Sequence, residues 1–280
     1  DAEVGYSFAR PATTYWRDAW RRLRQNRAAM IGLAIIVFMF LAAFFGPYFC
    51  RYTYSDQDLT TTGTNQPPSA AHWFGTDNLG RDLFVRVLYG ARISLAVGIF
   101  ASLIILVIGV IYGGISGFLS GKTDNYMMRI VDVIWGIPTV LIVILLMVIF
   151  QPGLKNVMIA IGTTYWIQMA RIVRGQILSL KEQDYVMAAT ALGGSKRRIL
   201  LRHLIPNSIG PIIVTATLGM GTAILSAAAL SFLGLGSQPP EPEWGRMLSE
   251  GRDHPREAWG SSTFPGIGVM LAVLATNLLG

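Results

Sequence analysis

Residues 156–170, NVMIAIGTTYWIQMA, decide the topology of the whole chain. The run carries no formal charge, but it falls short of the ~20 apolar residues a helix needs to cross the hydrocarbon core. Gln168 interrupts it as well, so hydropathy alone leaves the crossing open. The basic segment that follows closes the question, with Arg171, Arg174, Lys181, Lys196, Arg197, Arg198 and Arg202. Cytoplasmic loops of membrane proteins carry the excess of Lys and Arg. The N-terminal segment is basic too, through Arg10, Arg17, Arg21, Arg22, Arg24 and Arg27. Both clusters are cytoplasmic only if 156–170 crosses, with Arg171 snorkelling to the interface.

Working outward, charge-free runs at 28–50, 93–121, 133–154, 204–240 and 258–280 are each long enough to span. The expectation is therefore six spans, near 28–50, 93–119, 130–151, 154–174, 207–234 and 261–280. A cytoplasmic segment, 1–27, precedes a transmembrane domain, 28–280. The outer loops are 51–92 and 236–260, and the basic cytoplasmic segment is 181–206. On this topology 15 of the 23 Lys and Arg are cytoplasmic. The outer cations are nearly balanced by Asp56, Asp58, Asp77, Asp82, Glu241, Glu243, Glu250, Asp253 and Glu257.

Composition agrees with membrane residence. The chain is 52% hydrophobic and 14% charged, with a mean hydropathy of +0.47, against about 25% charge in soluble domains. The net charge of +7 could signal nucleic acid. The cations flank apolar segments instead of forming one patch, so lipid is the partner expected and nucleic acid is not. Asp1, rather than Met, opens the chain, from which a preceding stretch is expected to have been removed. The only cysteine, Cys50, excludes an internal disulfide.

Local patterns add packing expectations. Gly109, Gly113, Gly117 and Gly121 recur every four residues in the second span, as do Ala223, Ala227 and Ser231 in the fifth. Such faces allow close helix approach. Asp132 is expected to pair with Arg129 at i−3. In the first outer loop, Thr76 or Asp77 is expected to cap a short interfacial helix with Leu83, Phe84, Val87 and Leu88 on one face. The second outer loop, rich in proline, acid and tryptophan, is either solvated punctuation or a docking surface; Trp244, Gly245 and Arg246 are its candidate docking residues.

No catalytic constellation can be assembled. GFLSGKT at 117–123 lacks the spacing and the preceding strand of a phosphate-binding loop. His72, His203 and His254 stand apart without metal-ligand companions. No catalytic, cofactor or metal residues are expected.

The segment 185–206, YVMAATALGGSKRRILLRHLIP, is more structured than a basic loop needs to be. Tyr185, Ala188, Ala189 and Leu192 share a helical face. Gly193-Gly194 permits a turn, and Ser195 can cap a second helix carrying Arg198 among its cations and Ile199, Leu200 and Leu204 as its apolar set. Pro206 is expected to end the segment. A short helix held on a rigid turn can enter a groove on a soluble partner.

These residues carry a resemblance. AATALGG followed by RHLIP resembles the EAA motif of ABC import permeases, with Ala188, Ala189, Gly193 and Pro206 in register. Met187 stands where the motif has Glu, His203 where it has Ile, and Ile205 where it has Leu. FGTDNLGRDLFVRVLYGARISL, ARIVRGQILSLKEQDYVMAA and LSFLGLGSQPPEPEWGRML are similar to stretches of the second permease subunit of peptide (dipeptide, oligopeptide) and nickel importers. The likeness runs from about Trp16 to Gly280. Family members continue past NLLG with a short tail, so a trimmed C-terminus is expected.

The resemblance implies an all-α protein of six transmembrane helices in the type I ABC importer permease fold. The segment 181–206 would be its coupling segment, between spans four and five. It implies an inner-membrane, non-catalytic subunit that pairs with a second permease. Two cytoplasmic ABC ATPases and an external substrate-binding protein are the further partners. Peptide is the cargo favoured; nickel or another small solute, a non-transporting membrane subunit and a membrane-embedded enzyme are the alternatives.

Overall fold

A computed structural model describes residues 15–57, 63–252 and 258–280, without the side chains of residues 15, 16 and 18. Arg10, Asp58, Asp253, His254 and Glu257 lie outside the described residues. Helix α1 (Tyr15–Gln25) is amphipathic and ends in Arg22 and Arg24. Asn26 separates it from α2 (Arg27–Phe45), its side-chain oxygen accepting from the amides of Ala28 and Ala29, which satisfies donors that a helix start leaves open. A 3₁₀ turn, Gly46–Phe49, extends α2 to Cys50, close to the expected first span.

Helix α3 (Leu83–Leu119) is a single element of 37 residues, roughly 55 Å long at 1.5 Å per residue against a ~30 Å hydrocarbon core. The separate interfacial helix expected around Leu83–Leu88 does not exist: those residues are the first turns of α3. Neither Thr76 nor Asp77 caps it. Asp82 does, accepting from the Val85 amide at 2.9 Å. Arg86 and Arg92 ended the apolar run in the sequence, yet charge does not end a helix whose cations find partners. Arg92 donates to the carbonyls of Ala43 and Phe44 at the end of α2.

Helices α4 (Gly121–Trp135) and α5 (Thr139–Phe150) stand where one third span was expected from 130 to 151. They are bent by 82° at 136–138, because Pro138 removes a backbone donor and restricts the residue before it. Helices α6 (Leu154–Thr164) and α7 (Trp166–Lys181) meet at Tyr165, and α7 runs on past the expected boundary at 174. After α8 (Asp184–Ala191) and α9 (Lys196–Ile199), a π turn, Leu200–Leu204, leads into α10 (Ile205–Asn207), α11 (Ile209–Phe232), α12 (Trp244–Gly251) and α13 (Trp259–Leu279). Among the described residues four helices are long and apolar enough to cross a membrane, or five if the bent α4–α5 pair counts as one span.

Pro206 does not stop the helix. The π turn before it widens the hydrogen-bond register, with the Ile205 amide reaching the Leu200 carbonyl, so the donor that proline lacks is not required there. The Asn207 side chain donates to the His203 carbonyl.

Packing follows the glycine spacing on α3. A Cβ at Gly109, Gly113 or Gly117 would stand 2.5 Å from the Met169 side chain, 2.3 Å from the Ala170 carbonyl and 2.8 Å from the Arg174 carbonyl, so α3 and α7 touch backbone to backbone. Gly121 takes no part, because a Cβ there would meet nothing within 4 Å. Ala223 and Ala227 of α11 bury against Val97, Ala101, Val157 and Ile161. Asp132 pairs not with Arg129 but with Arg171 of α7 at 2.7 Å. That arginine also lies over the Trp135 ring, 4.8 Å from its centroid.

These contacts sort the connections to two ends of the bundle. At one end Lys181 reaches Ser120 and the Phe118 carbonyl, and Gly32 of α2 lies against Ala275 and Leu278 of α13. At the other end the Gly153 amide bonds the Leu235 carbonyl, and α12 meets the start of α3.

Candidate functional site

The segment from Lys181 to Pro206 forms an elbow. Helix α8 starts after Gln183 and closes at Leu192. Gly193 then takes φ = +77°, a left-handed conformation that side chains other than glycine adopt at a penalty. The Gly193 and Gly194 amides return to the carbonyls of Thr190 and Ala189, each at 3.0 Å, satisfying the last turn of α8 in the manner of a helix C-cap. Ser195 opens α9 in an extended conformation, its hydroxyl accepting from the Arg198 amide at 3.4 Å.

Burial divides the elbow into two faces. Val186, Ile199 and Leu204 are inside, packed with Ile105, Met169, Val173, Ile177 and Ile212. Tyr185, Met187, Ala188 and Leu192 are exposed, Leu192 at 89%. Ala189, Gly194 and His203 are half-buried, and Pro206 is exposed. The face expected from Tyr185, Ala188 and Leu192 thus exists and points away from the chain. Lys196, Arg197, Arg198 and Arg202 are exposed too. The structure shows an apolar knob on a cationic base, anchored from behind.

A clamp joins the elbow to the rest of the bundle. Asp124 of α4, 8% exposed at its side chain, receives Arg174 of α7 through both Nε and Nη2 at 2.6 Å. The Ser116 hydroxyl donates to the same carboxylate at 2.5 Å. About two turns further along α7, the Lys181 ammonium donates to Ser120 Oγ and the Phe118 carbonyl at 2.9 and 2.7 Å. Helix α7 therefore ends fastened to the α3–α4 junction just before α8 begins.

At the opposite end a second polar cluster holds the segment before α3 and helix α12 together. Asp77 accepts from Arg81 Nε at 2.7 Å, and Glu250 of α12 faces Arg81, Arg86 and Arg246 at 3.3, 3.3 and 2.8 Å. Asp82 pairs with His72 at 2.7 Å. Arg81 and Arg86 are buried, and leaving one such charge unpaired would be strongly destabilising. Glu243 caps α12 through the Arg246 amide and bonds Ser94 Oγ. Burial pushes its carboxyl above the usual carboxylate range, against hydrogen bonds from Gly245, Ser231, Arg246 and Ser94.

Of the three residues expected to dock a partner here, two are inside the chain. Trp244 is 1% exposed, its ring between Gly90 and Gly268 and its Nε1 donating to the Val87 carbonyl at 3.0 Å. A Cβ at Gly245 would lie 2.1 Å from the Ala228 carbonyl. Arg246, partly exposed, bonds Glu250 and the Ser237 carbonyl. An apolar aromatic among charges resembles a surface anchor in sequence; here it holds α12 down. The charged cluster was not foreseen as a unit, although FGTDNLGRD carries its alternating charges in the open.

Two sequence families describe this chain. Residues 109–280 match the binding-protein-dependent transport system inner membrane component, and residues 14–68 match the N-terminal TM domain of oligopeptide transport permease C. A dipeptide transport system permease protein of Bacillus subtilis is 48% identical over 275 residues, covering 98% of this chain and 85% of the relative. An oligopeptide transport system permease protein of the same organism is 51% identical over 251 residues, 90% of this chain and 81% of the relative. A glutathione transport system permease protein of Escherichia coli is 43% identical over 270 residues, 95% and 88% of the two chains. With one family pattern covering most of the chain and such relatives along nearly all of it, this protein belongs to the binding-protein-dependent transport system inner membrane components, the permease subunits of ABC importers.

Proposed function

We propose that this chain is the permease subunit of an ATP-driven importer of peptides, working beside a second permease, two cytoplasmic ATPases and an external binding protein. In this reading six segments cross the inner membrane. The bent α4–α5 pair and the α6–α7 pair supply the third and fourth, and residues 1–27 and the elbow face the cytoplasm. The placement of Lys181 beside Ser120, and of Gly153 beside Leu235, supports that alternation. Peptide cargo is drawn from the names of the dipeptide and oligopeptide relatives.

The observation that carries the coupling role is the exposed knob of Tyr185, Met187, Ala188 and Leu192, next to Gly193 with its positive φ. Closure of the ATPases would displace α8. Helix α7 would carry the movement through Arg174–Asp124 to α4 and through its backbone contact to α3. On the other side of the elbow, α9 and the π turn would carry it to α11. Rigid elements joined this way expose a central path alternately to each side. At the outer end, α12 and the charged cluster would shape the surface that receives the binding protein. Trp244 and Gly245 then position that surface, and Arg246 lies at it.

Reconstitution into proteoliposomes with the ATPases and the peptide-loaded binding protein tests this. The expected results are ATP-dependent dipeptide uptake and a cross-link from Ser195→Cys to an ATPase subunit. A functional transporter whose ATPase never cross-links to α8, Gly193 or Ser195 would refute the coupling assignment.

A further inference from the structure

The exposed faces of the long helices differ in kind. Along α3, Phe100, Leu103, Val107 and Ile111 form an exposed row that is apolar throughout, as lipid contact requires. Between α7 and α11, with Ile105 of α3 behind it, lies a cavity of about 130 Å³ in which Tyr165, Gln168, Thr215 and Thr222 stand among apolar side chains such as Met169, far above the ~10–15 Å³ that one water needs. Thr215, Gly219 and Thr222 fall on one helical face. Ser226 continues it, donating to the Tyr165 hydroxyl at 3.0 Å.

Not every polar group here demands water. Thr215 and Thr222 bond back to the carbonyls of Pro211 and Leu218 on their own helix, which hydroxyls can do in lipid. Gln168 is different: it is exposed, and among the described residues its carboxamide has no hydrogen-bond partner. An amide in that state is strongly unfavourable in hydrocarbon and untroubled on an aqueous path. Open space lies beside it. A Cβ at Gly219, or at Gly175 two turns along α7 from Gln168, would meet nothing within 4 Å, so neither glycine serves close packing within this chain.

The chemistry of the lining names its ligand class. Among apolar side chains it carries amide, phenol and hydroxyl groups and no formal charge. Such groups both donate and accept, matching the alternating N–H and C=O groups of a peptide backbone while selecting neither sign of side-chain charge. We propose that the groove between α7 and α11 lines the path of the transported peptide, with Gln168 and Tyr165 touching its backbone. This rests on the peptide-permease function proposed above and assigns the residues that serve it.

Thiol labelling of the assembled transporter tests the groove. In a Cys50→Ser background, Gln168→Cys, Gly219→Cys and Thr222→Cys are treated with a membrane-impermeant maleimide, with Val107→Cys as reference. Thiols react as thiolates, which form only where water reaches. The expected result is labelling at the three groove positions and its loss at Val107→Cys. Protection of all three groove positions, by lipid or by a helix of the second permease, overturns the proposal. Peptide uptake by the unsubstituted transporter separates the two ideas. Uptake with an unlabelled groove refutes the groove alone. A labelled groove without peptide uptake refutes both the cargo and the ligand assigned here. Gln168→Leu is further expected to lose peptide uptake, with Gln168→Asn partly restoring it.

Discussion

Arg174 and Asp124, fifty positions apart, meet through two parallel N–H···O bonds of 2.6 Å between α7 and α4. A bidentate guanidinium–carboxylate pair fixes orientation as well as distance, so α7 cannot rotate at its C-terminal end without taking α4 along. The next turn of α7 but one is the start of the elbow.

Breaking that clamp should uncouple the transporter before it unfolds it. Asp124→Asn keeps the shape and removes the charge. Asp124 is buried but Arg174 is 31% exposed at its side chain, so the expected destabilisation is about 1–3 kcal/mol, between the exposed and buried limits. ATPase activity should persist while peptide uptake falls. Uptake and ATPase activity falling together, in parallel with loss of assembled complex, would mean the pair is structural only.

The turn at Gly193 gives a graded series. A Cβ there meets no neighbour, so the only penalty is backbone strain at φ = +77°, about 1–2 kcal/mol for an ordinary side chain. Asparagine tolerates that conformation better than a β-branched residue does. Gly193→Asn should therefore retain most stimulated ATPase activity and Gly193→Val should lose most of it. Equal activity in both variants would show that the turn geometry does not matter.

Trp244 should act through stability. Its removal opens a hole between Gly90 and Gly268 and takes the indole donor from the Val87 carbonyl. Trp244→Ala is expected to cost about 3–5 kcal/mol and to lower the thermal midpoint of the purified complex. Arg246→Ala should instead weaken binding-protein affinity with little change in midpoint. The reverse pattern, read by calorimetry and by titration of the binding protein, would invert the two assignments.

Glu243 predicts a pH dependence. Its folded-state pKa is raised by burial above the ordinary value of about 4.3, so the folded chain holds a proton that the unfolded chain releases. That contribution is complete below the ordinary value and is lost as pH rises through the raised one. Glu243→Gln is neutral at every pH. The midpoint of the variant minus that of the parent should therefore grow as pH rises across this window. A difference that shrinks with rising pH would contradict the burial argument.

The basic elbow and the glycine spacing were legible in the sequence because each depends on local properties. Gly193 takes the conformation that few other residues tolerate, Ser195 caps the helix it precedes, and Gly109, Gly113 and Gly117 fall on one face by helical period alone. Long-range pairing was not legible. Asp132 has an arginine three residues away, yet it chose Arg171, thirty-nine positions on. Trp244 stands in a loop rich in proline and acid as a candidate docking residue, yet it is buried, and the charges around it neutralise one another across two loops.

By itself, then, the order of residues determined that the chain lives in a membrane, which end of each segment is basic, and where a rigid turn interrupts the oil. Period, charge and backbone permission are properties of neighbours along a chain. Only the folded arrangement decided that α3 runs on through Arg86 and Arg92, that one apparent span bends by 82° at Pro138, and which charges meet. Those outcomes depend on whether a cation or a missing donor finds its partner in space, and no neighbour in sequence carries that information.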